Sequence, residues 1–152
     1  MLDLSASHRL RVGRYSEHNR IYLLTTNTAG RRPIFNDFAL GRLVVNQFRV
    51  AEGKGFANTL AWVVMPDHFH WLIELKSGSL GELMQRTKSL STKAVNLSTG
   101  RDTSIWQSGF HDRALRREED LVKLARYIVA NPLRAGLVEK IGDYPLWDAI
   151  WV

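Results

Sequence analysis

The chain has 152 residues, 45% of them hydrophobic, no cysteine, and a formal charge of +6. That length and apolar content suit one compact domain over 1–152, while the lack of cysteine excludes disulfides and thiolate metal sites and leaves His, Asp, Glu and Asn as possible ligands, a set that favours Mg²⁺ or Mn²⁺ over structural zinc. Of the 21 basic residues 15 are arginine, whose planar fork suits phosphate oxygens, so nucleic acid is the natural polyanionic partner.

A basic arm to about residue 20 carries Arg9, Arg11, Arg14 and Arg20. It lacks the apolar stretch of a signal peptide, and no run in the chain approaches a membrane span, so a cytoplasmic protein is expected. Ile21 to Thr26 reads as a first strand, rich in β-branched and aromatic residues. Gly30 to Pro33, with Arg31 and Arg32, turns the chain, and Asn36 is an expected N-cap for a helix whose stripe is Phe38, Leu40, Leu43, Val44, Phe48 and Val50. Gly53-Lys54-Gly55 ends that helix. Two strands follow, about Phe56–Met65 and His68–Leu75, with Pro66-Asp67 turning an antiparallel hairpin.

Ser79 is the expected cap of a second amphipathic helix through Leu80, Leu83, Met84, Thr87, Leu90 and Ala94. After a loop, the aromatic stretch from Ile105 to Arg113 leads to a short strand near Ala114–Arg116. Glu118, Glu119 and Asp120 favour a helix start, and the pattern predicts a helix to Asn131, where Pro132 discourages continuation. The order β-α-β-β-α-β plus a further helix is that of an α+β fold, an antiparallel sheet of the ferredoxin-like split βαβ type flanked by helices.

Two features carry chemistry. In an extended strand His68 and His70 project to one face while Phe69, Trp71, Ile73 and Leu75 line the other, so the two imidazoles can converge on one divalent cation. Taken alone, the pair fits equally a polar edge on the wetter side of a half-buried strand. On the third helix Leu121, Leu124, Ala125 and Ile128 form the apolar face, with Tyr127 and Asn131 four residues apart at its margin. A tyrosine there can simply be a core residue, but a phenolate beside a cation is a competent nucleophile toward a phosphodiester. Two imidazoles are too few for a site, and the Asn131 carbonyl is a suitable third ligand for a hard cation.

The segments VMPDHFHWLIEL and RYIVANPLRAGLV resemble the HUH-type single-tyrosine transposases, and GRYSEHNRIYLLTT, RRPIF, MQRTKSLSTKAVN, WQSGFHDRALR and VEKIGDYPLWDAIWV resemble their REP-associated tyrosine transposase branch. The resemblance implies that His68 and His70 bind Mg²⁺ or Mn²⁺, that Asn131 stands in the place of the third ligand, and that Tyr127 cleaves single-stranded DNA through a 5′-phosphotyrosine. It implies as partner a REP-type hairpin with a single-stranded flank, held by Arg9, Arg11, Arg14, Arg20, Arg113, Arg116 and Arg117, and is more consistent with a monomer than with a helix-exchanged dimer. His111 and Asp112 lie in one of the shared segments, with packing and hydrogen bonding their expected role. A non-catalytic ferredoxin-like nucleic-acid binding module is the main alternative, weakened by the absence of the aromatic pattern of an RRM, and a nuclease using activated water is the other.

Overall fold

The computed structural model describes residues 16–116 and 118–151. Arg9, Arg11, Arg14 and Arg117 lie outside the described residues. Five strands form one sheet in the order β4-β1-β3-β2-β5: β1 Ile21–Asn27, β2 Ala57–Met65, β3 His68–Leu75, β4 His111–Leu115 and β5 Trp147–Ala149. Every pairing is antiparallel. The first four strands reproduce the expected split βαβ arrangement, and β5 is an addition on the β2 edge.

Strand alternation sorts the sheet into two faces. On one face Tyr22 and Leu24 of β1 lie with Trp62 and Val64 of β2 and Phe69, Trp71, Ile73 and Leu75 of β3, all of them buried. Helix α1, Phe38–Gly53, covers this face with Leu40, Val44, Val45, Phe48 and Ala51. Phe48 stacks on Trp71 at a centroid separation of 4.4 Å and meets Phe69 edge-on at 5.1 Å. Helix α2, Leu80–Thr99, packs beside α1 and starts at the expected Ser79 cap, which Glu82 completes to a capping box. The cap of α1 differs from expectation. Asp37, not Asn36, accepts from Ala39 N, because Ile34–Asn36 is taken up in a 3-10 turn that buries Phe35.

Trp106 explains how the chain reaches β4. Its ring meets Phe69 edge-on at 5.3 Å and its Nε1 donates to Ser91 Oγ at 3.1 Å. Lys88 Nζ then donates to the carbonyls of Gln107 and Gly109 at 2.7 and 2.8 Å. These anchors start β4 at His111, three residues before the expected position, since pairing with β1 begins where the loop is pinned.

The other face of the sheet receives α3, Glu118–Val129, which packs against β2, β4 and β5 through Leu121, Ala125 and Ile128. It stops two residues short of the expected end. Pro132 lacks an N–H to donate and instead opens a separate short helix, α4, Asn131–Arg134. The chain then returns under α1: Tyr144 Oη donates to Val64 O at 2.6 Å, and Leu146 is fully buried against Gly41, where a Cβ would collide with it. That seat lets β5 pair with β2, through contacts that no short apolar run announces. Among the described residues no helix is long and apolar enough to cross a membrane.

Candidate active site

The histidines stand on the face that α3 crosses. His68 and His70 have ring centroids 5.1 Å apart and planes inclined at 81°. Each ring has one nitrogen already engaged. Asp67 Oδ1 accepts from His68 Nδ1 at 2.7 Å, and its Oδ2 accepts from Arg31 Nε at 2.9 Å. Burial pushes the Asp67 carboxyl up, but the bonds from His68 and Arg31 outweigh it and hold this group below the ordinary carboxylate range. An ionised carboxylate only accepts, so the proton of the bond sits on His68 Nδ1, which leaves Nε2 as the ring atom that a cation would take.

His70 is placed by register. It pairs with Thr25 across β1, and Thr25 Oγ1 lies 2.7 Å from His70 Nδ1. When Nδ1–H donates to that hydroxyl, Nε2 is again the free ligand atom. Burial, then the charges of His68 and Arg134, lower the His70 pKa to about 4, so this ring is neutral across the physiological range. Neutral imidazole is the form that binds a metal. The opposite neighbour of Thr25 is His111, which therefore shares the row with His70, two strands away at the sheet edge and exposed. Asp112 falls on the opposite side of the pleat and is half-buried.

Tyr127 is 61% exposed on α3. Its ring lies under the guanidinium of Arg134, whose Cζ is 3.7 Å from the ring centroid. Arg134 Nη2 also donates to Asn131 Oδ1 at 2.8 Å. The helix break falls between Tyr127 and Asn131, so Arg134, not a continuous helical turn, links the two side chains. Asn131 Nδ2 is buried with no hydrogen-bond partner among the described residues. An N–H donor buried without an acceptor is costly.

The chemistry of the donors fits a hard or borderline cation: two oriented imidazoles, and the Asn131 carboxamide oxygen, which here accepts from Arg134. Among the described residues no group of three or more His, Asp or Glu side chains gathers to hold a metal. Of the candidate DNA-contact arginines, Arg20 donates to Glu17 Oε1 at 3.1 Å and lines a surface groove with the exposed Arg116. Arg113 is also exposed and, paired with Leu23, stands on the histidine face. Sequence reasoning assigned no site role to four residues of this cluster: Thr25 and Arg134 drew no attention, Arg31 counted only among the clustered basic residues of a turn, and Asp67, a turn residue where the resembled family often has Asn, was left out of the expected site. The alternation of β1 opposite a His-x-His strand was the available signal for Thr25, and adjacency the signal for Asp67.

A family model described as "Transposase IS200 like" matches residues 16–131. The chain belongs to the IS200-like transposase family. It is 32% identical over 87 residues to the REP-associated tyrosine transposase of Escherichia coli K12, an alignment covering 56% of this chain and 50% of that protein. A Haemophilus influenzae relative described under the same family name is 28% identical over 116 residues, covering 66% of each. The chain thus spans about half to two thirds of the length of the curated relatives it matches. The fold is that of a REP-associated tyrosine transposase solved with a REP hairpin bound, with a TM-score of 0.69 at 24% identity over 88% of this chain and 79% of the other.

Proposed function

We propose that this IS200-like transposase cleaves and rejoins single-stranded DNA beside a REP-type hairpin, with Tyr127 as nucleophile and with His68, His70 and Asn131 as ligands of Mg²⁺ or Mn²⁺. The observation that carries the reading is the pair of imidazoles whose Nδ1 atoms are both engaged, by Asp67 and Thr25, so that both Nε2 atoms are available on the sheet face crossed by the tyrosine helix. A polar edge of a half-buried strand has no need of such orientation. The relatives' names and the hairpin bound to the structural neighbour support the substrate class.

On this reading Tyr127 Oη attacks the scissile phosphorus, loses its proton to solvent, and forms the P–O bond to tyrosine as the bond to the 3′ oxygen breaks; that oxygen takes up a proton and leaves as a 3′-hydroxyl. The bound cation supplies charge neutralisation at the phosphate. The phosphotyrosine conserves the bond energy, so attack by a 3′-hydroxyl reverses the step without ATP. The exposure of Tyr127 suits a nucleophile that must reach an incoming strand. Arg113, Arg116 and Arg20, with Arg9, Arg11, Arg14 and Arg117, hold phosphates, and the site of action is the cytoplasm at the nucleoid. The protein is proposed to act as a monomer.

The test is incubation with Mn²⁺ and a REP-type hairpin bearing a single-stranded flank, followed by a denaturing gel. A protein–DNA adduct is expected from the wild type and none from Tyr127→Phe, with hairpin binding retained. Full cleavage by Tyr127→Phe, or an adduct on another tyrosine, rejects the assignment; cleavage without any adduct favours the water-using nuclease.

A further inference from the structure

Arg134 touches both Tyr127 and Asn131. Its two contacts are of different kinds. A guanidinium 3.7 Å from the Tyr127 ring centroid, over the face, is a cation–π stack, and it is the contact that restricts a phenol otherwise 61% exposed. The bond from Nη2 to Asn131 Oδ1 uses a fixed N–H of a rigid planar group, so one side chain sets the orientation of the ring and of the carboxamide together. The same bond places a permanent positive charge on the very oxygen that a metal would take, leaving Nδ2 as the buried end without a partner.

We propose that Arg134 is a positioning residue that clamps the Tyr127 ring for attack and competes with the divalent cation for Asn131 Oδ1. This rests on the reading of Tyr127 as nucleophile and Asn131 as ligand. In the metal-free protein the guanidinium satisfies the carboxamide oxygen. Metal binding draws that oxygen away, and Arg134 keeps its stack on the ring. The clamp therefore trades metal affinity for a preorganised nucleophile: an ordered ring reaches in-line geometry more often than a freely rotating exposed phenol.

The experiment compares wild type, Arg134→Ala and Arg134→Lys on three readouts. Calorimetry with Mn²⁺ measures metal affinity, NMR relaxation of the Tyr127 ring, assigned with Tyr127→Phe, measures its order, and single-turnover cleavage at saturating Mn²⁺ and hairpin measures the step itself. Arg134→Ala is expected to bind Mn²⁺ roughly threefold or more tighter, to loosen the Tyr127 ring, and to cleave roughly tenfold slower with hairpin affinity unchanged. Arg134→Lys, which keeps the charge without the planar face, is expected to keep wild-type metal affinity and lose ring order. A merely structural residue would weaken metal binding and cleavage together. Unchanged or weaker Mn²⁺ binding by folded Arg134→Ala, or a ring as ordered as in the wild type, overturns the clamp. If the wild type forms no adduct at Tyr127, the proposed function falls instead, and ring order and Mn²⁺ affinity still decide the clamp by themselves.

Discussion

Burial of His70 makes acid stability a direct probe of the site. In the unfolded chain this imidazole takes a proton near its ordinary value of 6.5, whereas in the folded protein burial and the charges of His68 and Arg134 hold it unprotonated to about 4. Between those values the unfolded state binds the proton and the native state does not, so stability falls as pH falls through this window and is fully present above it. With those end points linkage assigns to this one ring a loss of roughly 2 kcal/mol between pH 8 and pH 5. His70→Gln removes the titration while keeping a side chain able to bond Thr25. Urea denaturation of both proteins in chelator, at pH 8 and pH 5, is expected to show a wild-type midpoint that drops by roughly 1 M more than that of the variant, given m of about 2 kcal/mol/M. Other titrating groups contribute to both proteins and cancel in the comparison. Identical pH slopes in the two proteins would refute the claim that His70 is held neutral.

Asp67→Ala is expected to lower Mn²⁺ affinity roughly tenfold or more by freeing the His68 ring, while Asp67→Asn, which keeps an acceptor, loses less; equal affinities by calorimetry reject the orienting role. Gly41→Ala sets a helix-propensity gain of about 1 kcal/mol against an overpacking cost of about 1–3 kcal/mol, and because Leu146 is fully buried and cannot swing away, net destabilisation is expected, relieved in combination with Leu146→Val. A urea titration showing Gly41→Ala as stable as the wild type would mean that the C-terminal segment is not seated there. Hairpin affinity is expected to fall steeply with salt, and Arg113→Ala or Arg116→Ala to reduce the log–log slope by about 1 each; slopes unchanged by both substitutions remove these arginines from the interface. If the protein acts as the proposed monomer, a His68→Ala/His70→Ala variant mixed with Tyr127→Phe is expected to yield no adduct; restored cleavage in the mixture would show exchange of helices between chains.

The parts of this fold that were legible in the sequence are those written in local pattern. Alternation gave β3 its two faces, and Phe69, Trp71, Ile73 and Leu75 are all fully buried behind the histidines. The Ser79 capping box and the β2–β3 hairpin were likewise written in a few adjacent residues. What was not legible depends on partners distant in the chain. β5 is only Trp147–Ala149, and its place is decided by Leu146 meeting Gly41 and by Tyr144 reaching Val64, neither of which leaves a periodic trace. The start of β4 is fixed by Lys88 and Trp106 acting on a loop. At the site, the histidines and the tyrosine stood out by residue type, whereas Thr25 reaches His70 only through the β1–β3 register and Arg134 reaches Tyr127 only because the helix breaks before Pro132.

That break matters for how the site is assembled. Had α3 continued through Asn131, Arg134 would have lain seven residues along one helix from Tyr127, about two turns and some 10 Å away along the axis, too far for a face-on contact without full extension. Ending the helix at Val129 and restarting it at Asn131 folds Arg134 back, so that its guanidinium covers the Tyr127 ring at 3.7 Å and its charge is felt at His70 in the sheet below. The residue whose charge reaches His70 is thus the residue stacked on the Tyr127 ring. Proline at the head of α4 is the local cause, because it cannot continue the preceding helix yet is well suited to begin the next. An interruption of a single residue, Ala130, therefore lets one guanidinium reach the Tyr127 ring, the Asn131 carboxamide and the field at His70, and on the proposed reading the Asn-Pro-Leu-Arg sequence that makes it is as much a part of the site as the His-x-His strand.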